Sequence, residues 1–235
     1  MTQKSARRTA VAGGARRPAS GGRIAKGAPK GRIAKGASTG RNEVRIIGGE
    51  WRGRRIAFAP VPALRPTPDR VRETLFNWLQ PVVYGSRCLD LFSGSGALGL
   101  EALSRGAREV VFVEKERGVV ASLQAALTTL GSERGHVKQA DARQFLAGPA
   151  QPFDIVFLDP PFASRWLPEV CQALEQRGWL ASPAVIYLEM PAAEPVSPLP
   201  PGWSLVRSKR AGEVGYHLVR RDEVLHPEFS SQEGT

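Results

Sequence analysis

Asp90-Leu91-Phe92-Ser93-Gly94-Ser95-Gly96-Ala97-Leu98-Gly99 decides how the rest of this 235-residue chain is read. An apolar run ends at Leu91, and a stretch with helical spacing begins at Ala97. Gly94-x-Gly96-x-x-Gly99 at such a junction predicts a sharp strand-to-helix turn whose backbone can approach a bound molecule closely. A tight turn with no ligand would use the same glycines, so the motif alone does not decide function. Asp90 ends the strand, where its carboxylate could accept from a ligand ammonium group or order the loop.

Outward from this loop the chain alternates. Strands are predicted at 88–91, 110–114, 136–140, 155–158 and 185–189, with helical stretches at 97–105, 117–130, 142–146 and 167–177. That alternation specifies an α/β fold, a mostly parallel twisted sheet with helices on both faces. Residues 205–210 and 215–220 flank a Gly/Glu turn and predict an antiparallel C-terminal strand pair. Upstream, Thr67 reads as an N-cap and Pro68 as the first helical residue. Val71, Leu75, Trp78 and Leu79 then make one apolar helical face, with Arg65, Arg70 and Arg72 off it.

The N-terminal part differs in kind. Residues 1–42 carry eleven of the 33 Lys and Arg and none of the 22 Asp and Glu, so the net charge of +11 belongs to this segment. It has too little apolar surface to offset ordering entropy and reads as a disordered basic tail. Two copies of a nine-residue pattern, from Gly22 and from Gly31, are too few for a solenoid. A phosphate-binding arm, a solubilising leader and an organelle transit peptide each fit its composition, although its glycines and Pro29 argue against an amphipathic helix. Residues 43–66 read as a hairpin extension. Short strands at 44–47 and 54–58 flank a turn, and Arg45, Arg52, Arg54 and Arg55 cluster with Trp51. Arginines interleaved with an aromatic suit RNA, through phosphate contacts and stacking, while a solvated edge hairpin whose Trp51 caps the core would use the same residues. Residues 67–222 form the main domain and 223–235 a frayed tail.

No apolar run reaches the ~18 residues of a membrane-spanning helix, and no secretory signal is visible. Cys88 and Cys171 match no zinc or redox spacing, which suits a reduced cytoplasmic compartment, and Cys88 reads as a small core residue. His136, His217 and His226 form no metal-ligand pattern.

The more specific signal is Asp159-Pro160-Pro161-Phe162 after a strong apolar strand. Ligands of doubly wound sheets sit at that carboxyl edge. Asp159 and the Pro160 carbonyl supply two acceptors for a planar amino group, and Phe162 a face on which a base can stack. Glu114, at the next strand end after Asp90, can bind both hydroxyls of a ribose. Asp141 follows the third strand and could meet an adenine amino group or simply cap a helix.

Together these residues resemble the class I S-adenosylmethionine-dependent methyltransferases that act on amino nitrogens, a Rossmann-like fold. Arg45-Ile46-Ile47-Gly48-Gly49-x-Trp51-Arg52-Gly53, the stretch 64–79 and Leu91–Ala102 resemble the RsmD family of 16S ribosomal RNA guanine-N2 methyltransferases. The resemblance covers residues 44 to about 221 and leaves the basic tail outside it. It implies S-adenosylmethionine in the loop of Asp90, Phe92, Gly94, Ser95, Gly96 and Gly99, with Glu114 on its ribose and Asp141 near its adenine. It implies that Asp159, Pro160 and Phe162 hold a guanine taken out of its RNA stack. The implied target is the guanosine at position 966, in standard numbering, of 16S rRNA in an assembling small subunit. Neither a membrane nor a metal ion is implied.

Three other readings share part of the pattern. A nicotinamide-dinucleotide dehydrogenase shares the glycine loop and Glu114 but leaves 159–162 unexplained. A DNA adenine-N6 methyltransferase shares that turn, but no separate target-recognition domain is visible. A non-catalytic RNA-binding or assembly protein accounts for the tail and hairpin alone.

Overall fold

The computed structural model describes residues 42–58, 67–161, 166–196 and 198–222. The expectations for the basic tail through position 41, for Arg65, for Phe162 and for 223–235 lie outside the described residues.

Strands β3 (Arg87–Asp90), β4 (Glu109–Glu114), β5 (Gly135–Gln139), β6 (Phe153–Leu158), β7 (Leu180–Pro191), β8 (Trp203–Ala211) and β9 (Val214–Arg221) make one sheet in the order β5-β4-β3-β6-β7-β9-β8. The first five run parallel, and β9 and β8 add antiparallel strands. Successive side chains of a strand point to opposite faces. Cys88, Val110, Phe112, Ile155, Phe157 and Tyr187 accordingly pack on one side, with α1 (Asp69–Leu79), α2 (Ala97–Ser104) and α3 (Arg117–Leu130). Leu89, Leu91, Val111, Val113, Val156 and Leu158 pack on the other, with α4 (Ala142–Leu146) and α5 (Leu167–Gln176). The doubly wound sheet and antiparallel end therefore match the expectation.

The strand order reverses between β3 and β6. After β3 the chain moves outward through β4 and β5, then returns to the other flank of β3 as β6. The crevice at the carboxyl ends of two such strands is where open α/β sheets bind ligands. Asp90 ends β3, and Asp159 follows the last residue of β6.

The extension is a separate two-stranded sheet, β1 (Glu43–Arg45) with β2 (Arg55–Ala57), shorter than the sequence suggests. Beyond the strands the two arms stay joined, the Ile46 amide donating to the Arg54 carbonyl at 2.9 Å and the Gly53 amide to the Ile46 carbonyl at 2.8 Å, and the turn is also bonded to α2. Glu101 is fully buried, and its two carboxylate oxygens accept the amides of Ile47 and Gly48, each at 2.8 Å. The Ser104 hydroxyl accepts the Trp51 amide at 2.9 Å, and the Ser104 carbonyl accepts the Glu50 amide at 2.7 Å. Gly49 has φ +75°, and a Cβ there would lie 1.8 Å from the Ser104 carbonyl oxygen, so only glycine permits this approach.

The start of α1 differs from the expectation. Pro68 is the N-cap and makes no side-chain cap, and the helix begins at Asp69. Thr67 is buried and faces inward instead. Arg72 is also corrected. It lies on the buried face of α1, bonded to the carbonyls of Thr67 and Arg45 and to Asp69 and Glu101. Its place between two acids offsets part of the burial cost, which still pulls the guanidinium pKa down.

Candidate active site at the carboxyl edge

The glycine loop is held from both ends by carboxylates. Asp90 is buried, and its Oδ2 accepts the Gly99 amide in the first turn of α2 at 3.0 Å. Glu114, at the tip of β4, accepts the Gly94 amide at 3.0 Å and the Glu116 amide at 2.9 Å. The Ser93 hydroxyl donates to the Asp90 carbonyl at 2.8 Å, and the Ser93 carbonyl accepts the Gly96 amide at 2.7 Å. Gly94 and Gly96 have φ of +49° and +74°, the left-handed region that the turn requires. The acids expected to meet a ligand thus also order the loop.

Gly99 serves packing. A Cβ on it would lie 2.3 Å from the Phe112 ring of β4, so the glycine lets α2 lie close against the sheet. Phe92 is half-buried, and its ring lies 6.0 Å from that of Trp166. Asp141 caps α4, accepting the Arg143 amide at 2.9 Å. That is the simpler of its two expected roles, and it leaves the side chain half-exposed at the end of β5.

Across the switch point, Asp90 pairs in register with Phe157, two residues before Asp159. Burial, then the nearby charges of Glu189 and Asp90, holds the Asp159 carboxyl well above the usual range, partly relieved by a bond to the Thr67 hydroxyl. Burial also pushes Asp90 up to about 7, against the lowering effect of its bond to Gly99. Pro160 is buried beside Asp159. Three residues to which sequence reasoning gave no place in the site complete this side: Glu189, Tyr187 and Thr67. Leu158 of β6 pairs with Leu188 of β7, which places Glu189 one step further along β7, beside Asp159. Glu189 is buried, and its Oε1 accepts the Tyr187 hydroxyl at 2.8 Å. Thr67 bonds Glu189 as well as Asp159. The sequence offered only an acid two residues after a tyrosine in an apolar strand, which carries no ligand signature.

These carboxyls are a chemical fit for a cationic ligand carrying a ribose. Asp90 is a buried carboxyl and Asp159 a half-buried one at the same crevice, and Glu114 stands at the neighbouring strand tip with its carboxylate on the loop. Among the described residues no group of three or more His, Cys, Asp or Glu is placed to hold a metal ion.

The basic candidates divide. Arg52, Arg55 and Arg70 are exposed, Arg55 with a long 3.7 Å contact to Glu43. Arg54 donates to the Thr129 carbonyl at 2.9 Å, and Arg45 pairs with Asp69 at 2.8 Å while staying about half exposed. Trp51 and Arg72 are not surface residues: Trp51 is buried under Arg134, and Arg72 lies in the α1–α2 interface. Periodicity did not reveal them, because the hairpin covers part of α1 and α2 that would otherwise face solvent. Among the described residues no helix is long and apolar enough to cross a membrane.

A family model described as "Conserved hypothetical protein 95" matches residues 44–220. The chain is 49% identical over 180 residues to "Ribosomal RNA small subunit methyltransferase D" of Escherichia coli strain K12, covering 77% of this chain and 91% of that one. It is 45% identical over 184 residues to the protein of the same name from Haemophilus influenzae, covering 77% and 95%. The solved structure of "Putative methyltransferase yhhF" from Escherichia coli superposes with a TM-score of 0.70 at 50% identity, covering 77% of this chain and 99% of that one.

Proposed function

The chain belongs to the RsmD family of ribosomal RNA small subunit methyltransferases, and from this premise we propose that it methylates the exocyclic N2 of a guanine in 16S rRNA. The observation that carries this reading is the meeting of two strand ends. The loop that Asp90 orders ends β3, and the Asp159-Pro160 acceptors end β6, on the two sides of the switch point.

S-adenosylmethionine, the methyl donor of the family, supplies an electrophilic methyl on a sulfonium and leaves as a neutral thioether. In this reading Asp90 and the glycine loop hold the donor, Glu114 takes its ribose hydroxyls and Asp141 stands by its adenine. Asp159 and the Pro160 carbonyl each accept one hydrogen from the guanine amino group. That orients the nitrogen lone pair, and it stabilises positive charge as the nitrogen becomes tetrahedral. Phe162 stacks on the base, which has been taken out of its RNA stack. Arg52, Arg54, Arg55 and Arg70 face RNA phosphates, with Arg45 at the margin of that surface. The target is the guanosine at position 966, within an assembling small subunit.

Mapping of modified nucleotides in rRNA from cells lacking this protein tests the reading. One N2-methylguanosine should disappear from 16S rRNA and return when the wild-type protein is restored. Unchanged guanine methylation there would overturn it.

A further inference from the structure

β8 is the outer strand of the sheet, and its charges are unevenly placed. Its first part, Trp203 to Val206, has none and leaves Leu205 and Val206 exposed. Residues 207–210 then bring Arg207, Lys209 and Arg210, all exposed, and no acid. The next acid along the chain, Glu213, lies exposed in the turn to β9. Charges on an edge strand commonly guard it against pairing with another strand. A guard belongs beside the exposed apolar pair. These cations gather instead toward the carboxyl edge, where the crevice lies.

The register fixes their distance from it. Leu158 of β6, Leu188 of β7, His217 of β9 and Ser208 of β8 lie in one row. One step further toward the carboxyl edge the row is Asp159, Glu189, Tyr216 and Lys209. Three strand spacings separate Lys209 from Asp159, about 14 Å between backbones. A bulge sets the facing of the cations. Leu205 pairs with Val219 and Arg207 with Leu218, so two steps on β8 match one on β9. Arg207 and Lys209 therefore share the α1 face with Leu218 and Tyr216, while Arg210 points to the other face. The Lys209 ammonium lies 5.9 Å from the centre of the Trp78 ring, which stacks on Tyr216 at 5.6 Å, so α1 holds this cation in place. The arginine-bearing hairpin is on the opposite flank. It is fastened to α2 and, through Arg54, to α3, the helices that follow β3 and β4. β8 lies beyond β7 and β9 on the other side of the switch point.

We propose that the carboxyl-edge end of β8 is a second RNA-binding surface: Arg207, Lys209 and Arg210 bind phosphates of the strand that runs from the crevice across β9 and β8. This rests on the reading of the crevice as the site of an RNA base. The target nucleotide is then gripped on both sides, by the hairpin on one flank and by β8 on the other. Phosphate contacts of this kind position the RNA and carry no sequence information, so the base contacts at Asp159 and Pro160 keep the choice of nucleotide. Cations on both faces of the rim follow the backbone as it passes over the edge.

The test is the salt dependence of binding to a 16S rRNA transcript by the full chain. A triple variant, Arg207→Gln with Lys209→Gln and Arg210→Gln, removes the charges and keeps the edge polar. It should bind at least about tenfold more weakly near physiological salt. The slope of log affinity against log salt should become shallower by about 2, the counterion release of three single-strand phosphate contacts. Arg108 and Arg177 are exposed and precede β4 and β7, at the opposite edge of the sheet. A control with Arg108→Gln and Arg177→Gln should keep the wild-type slope. Circular dichroism and binding of S-adenosylhomocysteine check that each variant is folded. If the triple variant fails that check, Lys209→Gln and Arg210→Gln singly should each flatten the slope by roughly 0.7. A wild-type slope in the folded variants would reduce the cations to guards of an open edge and overturn the proposal, as would an equal loss in the control. Binding is read without methyl transfer, so the two readings fail separately. A wild type that binds RNA through β8 yet methylates no rRNA defeats the functional reading and leaves this surface standing. A wild type that methylates 16S rRNA, beside a triple variant that binds it as tightly, does the reverse.

Discussion

Arg72 of α1 and Glu101 of α2 lie 3.5 Å apart, and neither side chain is more than 1% exposed. Breaking such a pair from one side leaves a buried charge with fewer partners, which costs about 3–5 kcal/mol. Arg72→Leu should therefore lower unfolding free energy by about that much in urea, although Arg105 still pairs with Glu101 at 2.8 Å. A loss below about 1 kcal/mol would show that Arg105 and the two hairpin amides suffice to hold Glu101.

Gly99 meets the Phe112 ring, so its substitution should act on stability more than on ligand contact. Gly99→Ala should lower stability by about 1–3 kcal/mol through overpacking. The folded fraction should keep most of its affinity for S-adenosylmethionine. Calorimetry beside thermal unfolding separates the two, and lost affinity at unchanged stability would return Gly99 to the ligand.

Asp90 gives a pH dependence with a definite sign. Its folded pKa, about 7, lies above the ordinary 3.8, so the folded state holds a proton that the unfolded state has given up between those values. The stability it contributes is present at low pH and is lost as pH rises toward about 7. Asp90→Asn should flatten that part of the stability curve. Donor affinity should move the other way, strengthening as Asp90 ionises, because the ionised form attracts a cation. Equal S-adenosylmethionine affinity at pH 6 and pH 8 would count against a cation at Asp90.

Asp159→Ala removes an acceptor that matters most as charge develops on the target nitrogen. Turnover should fall by roughly 10²–10³ with cofactor affinity nearly unchanged. Phe162→Ala should weaken RNA binding by about 1–3 kcal/mol, the scale of one base–aromatic stack. Near-normal single-turnover methylation by Asp159→Ala would rule out its assigned role.

Deleting residues 1–42, with their eleven basic side chains, should weaken RNA binding and flatten its salt dependence without changing turnover at saturating substrate. Turnover lost at saturation would give the tail a role in catalysis or folding.

The parts legible in the sequence are those with local causes. Apolar runs bounded by Gly and Pro gave the strands, and helical spacing gave α3 (Arg117–Leu130) and α4 (Ala142–Leu146) to the residue. The C-terminal strands grew by a residue or two at each end, because pairing between β7, β9 and β8 extends past the apolar centre. What stayed hidden depends on contacts distant in sequence. Arg72 reads as a solvated arginine until Glu101, 29 residues on, is seen beneath it. Trp51 reads equally as a stacking aromatic or as a cap on the core, and only the hairpin folded down on α2 decides for the second. Thr67 reads as a cap, and Glu189 as an unremarked strand acid, until β6 and β7 bring their ends together.

Helix α2 has two attachments. Its first turn leaves the glycine loop at Gly96, and its second turn and last residue hold the hairpin through Glu101 and Ser104. Glu101 lies five positions after Gly96, a rise of roughly 7–8 Å along the axis. The arginine-bearing hairpin and the loop at the sheet edge are therefore mounted on one rigid rod. In the proposed reading that rod works as a gauge: an RNA gripped at the hairpin would be presented to the crevice at a set reach, and only a nucleotide at that reach from the grip would enter.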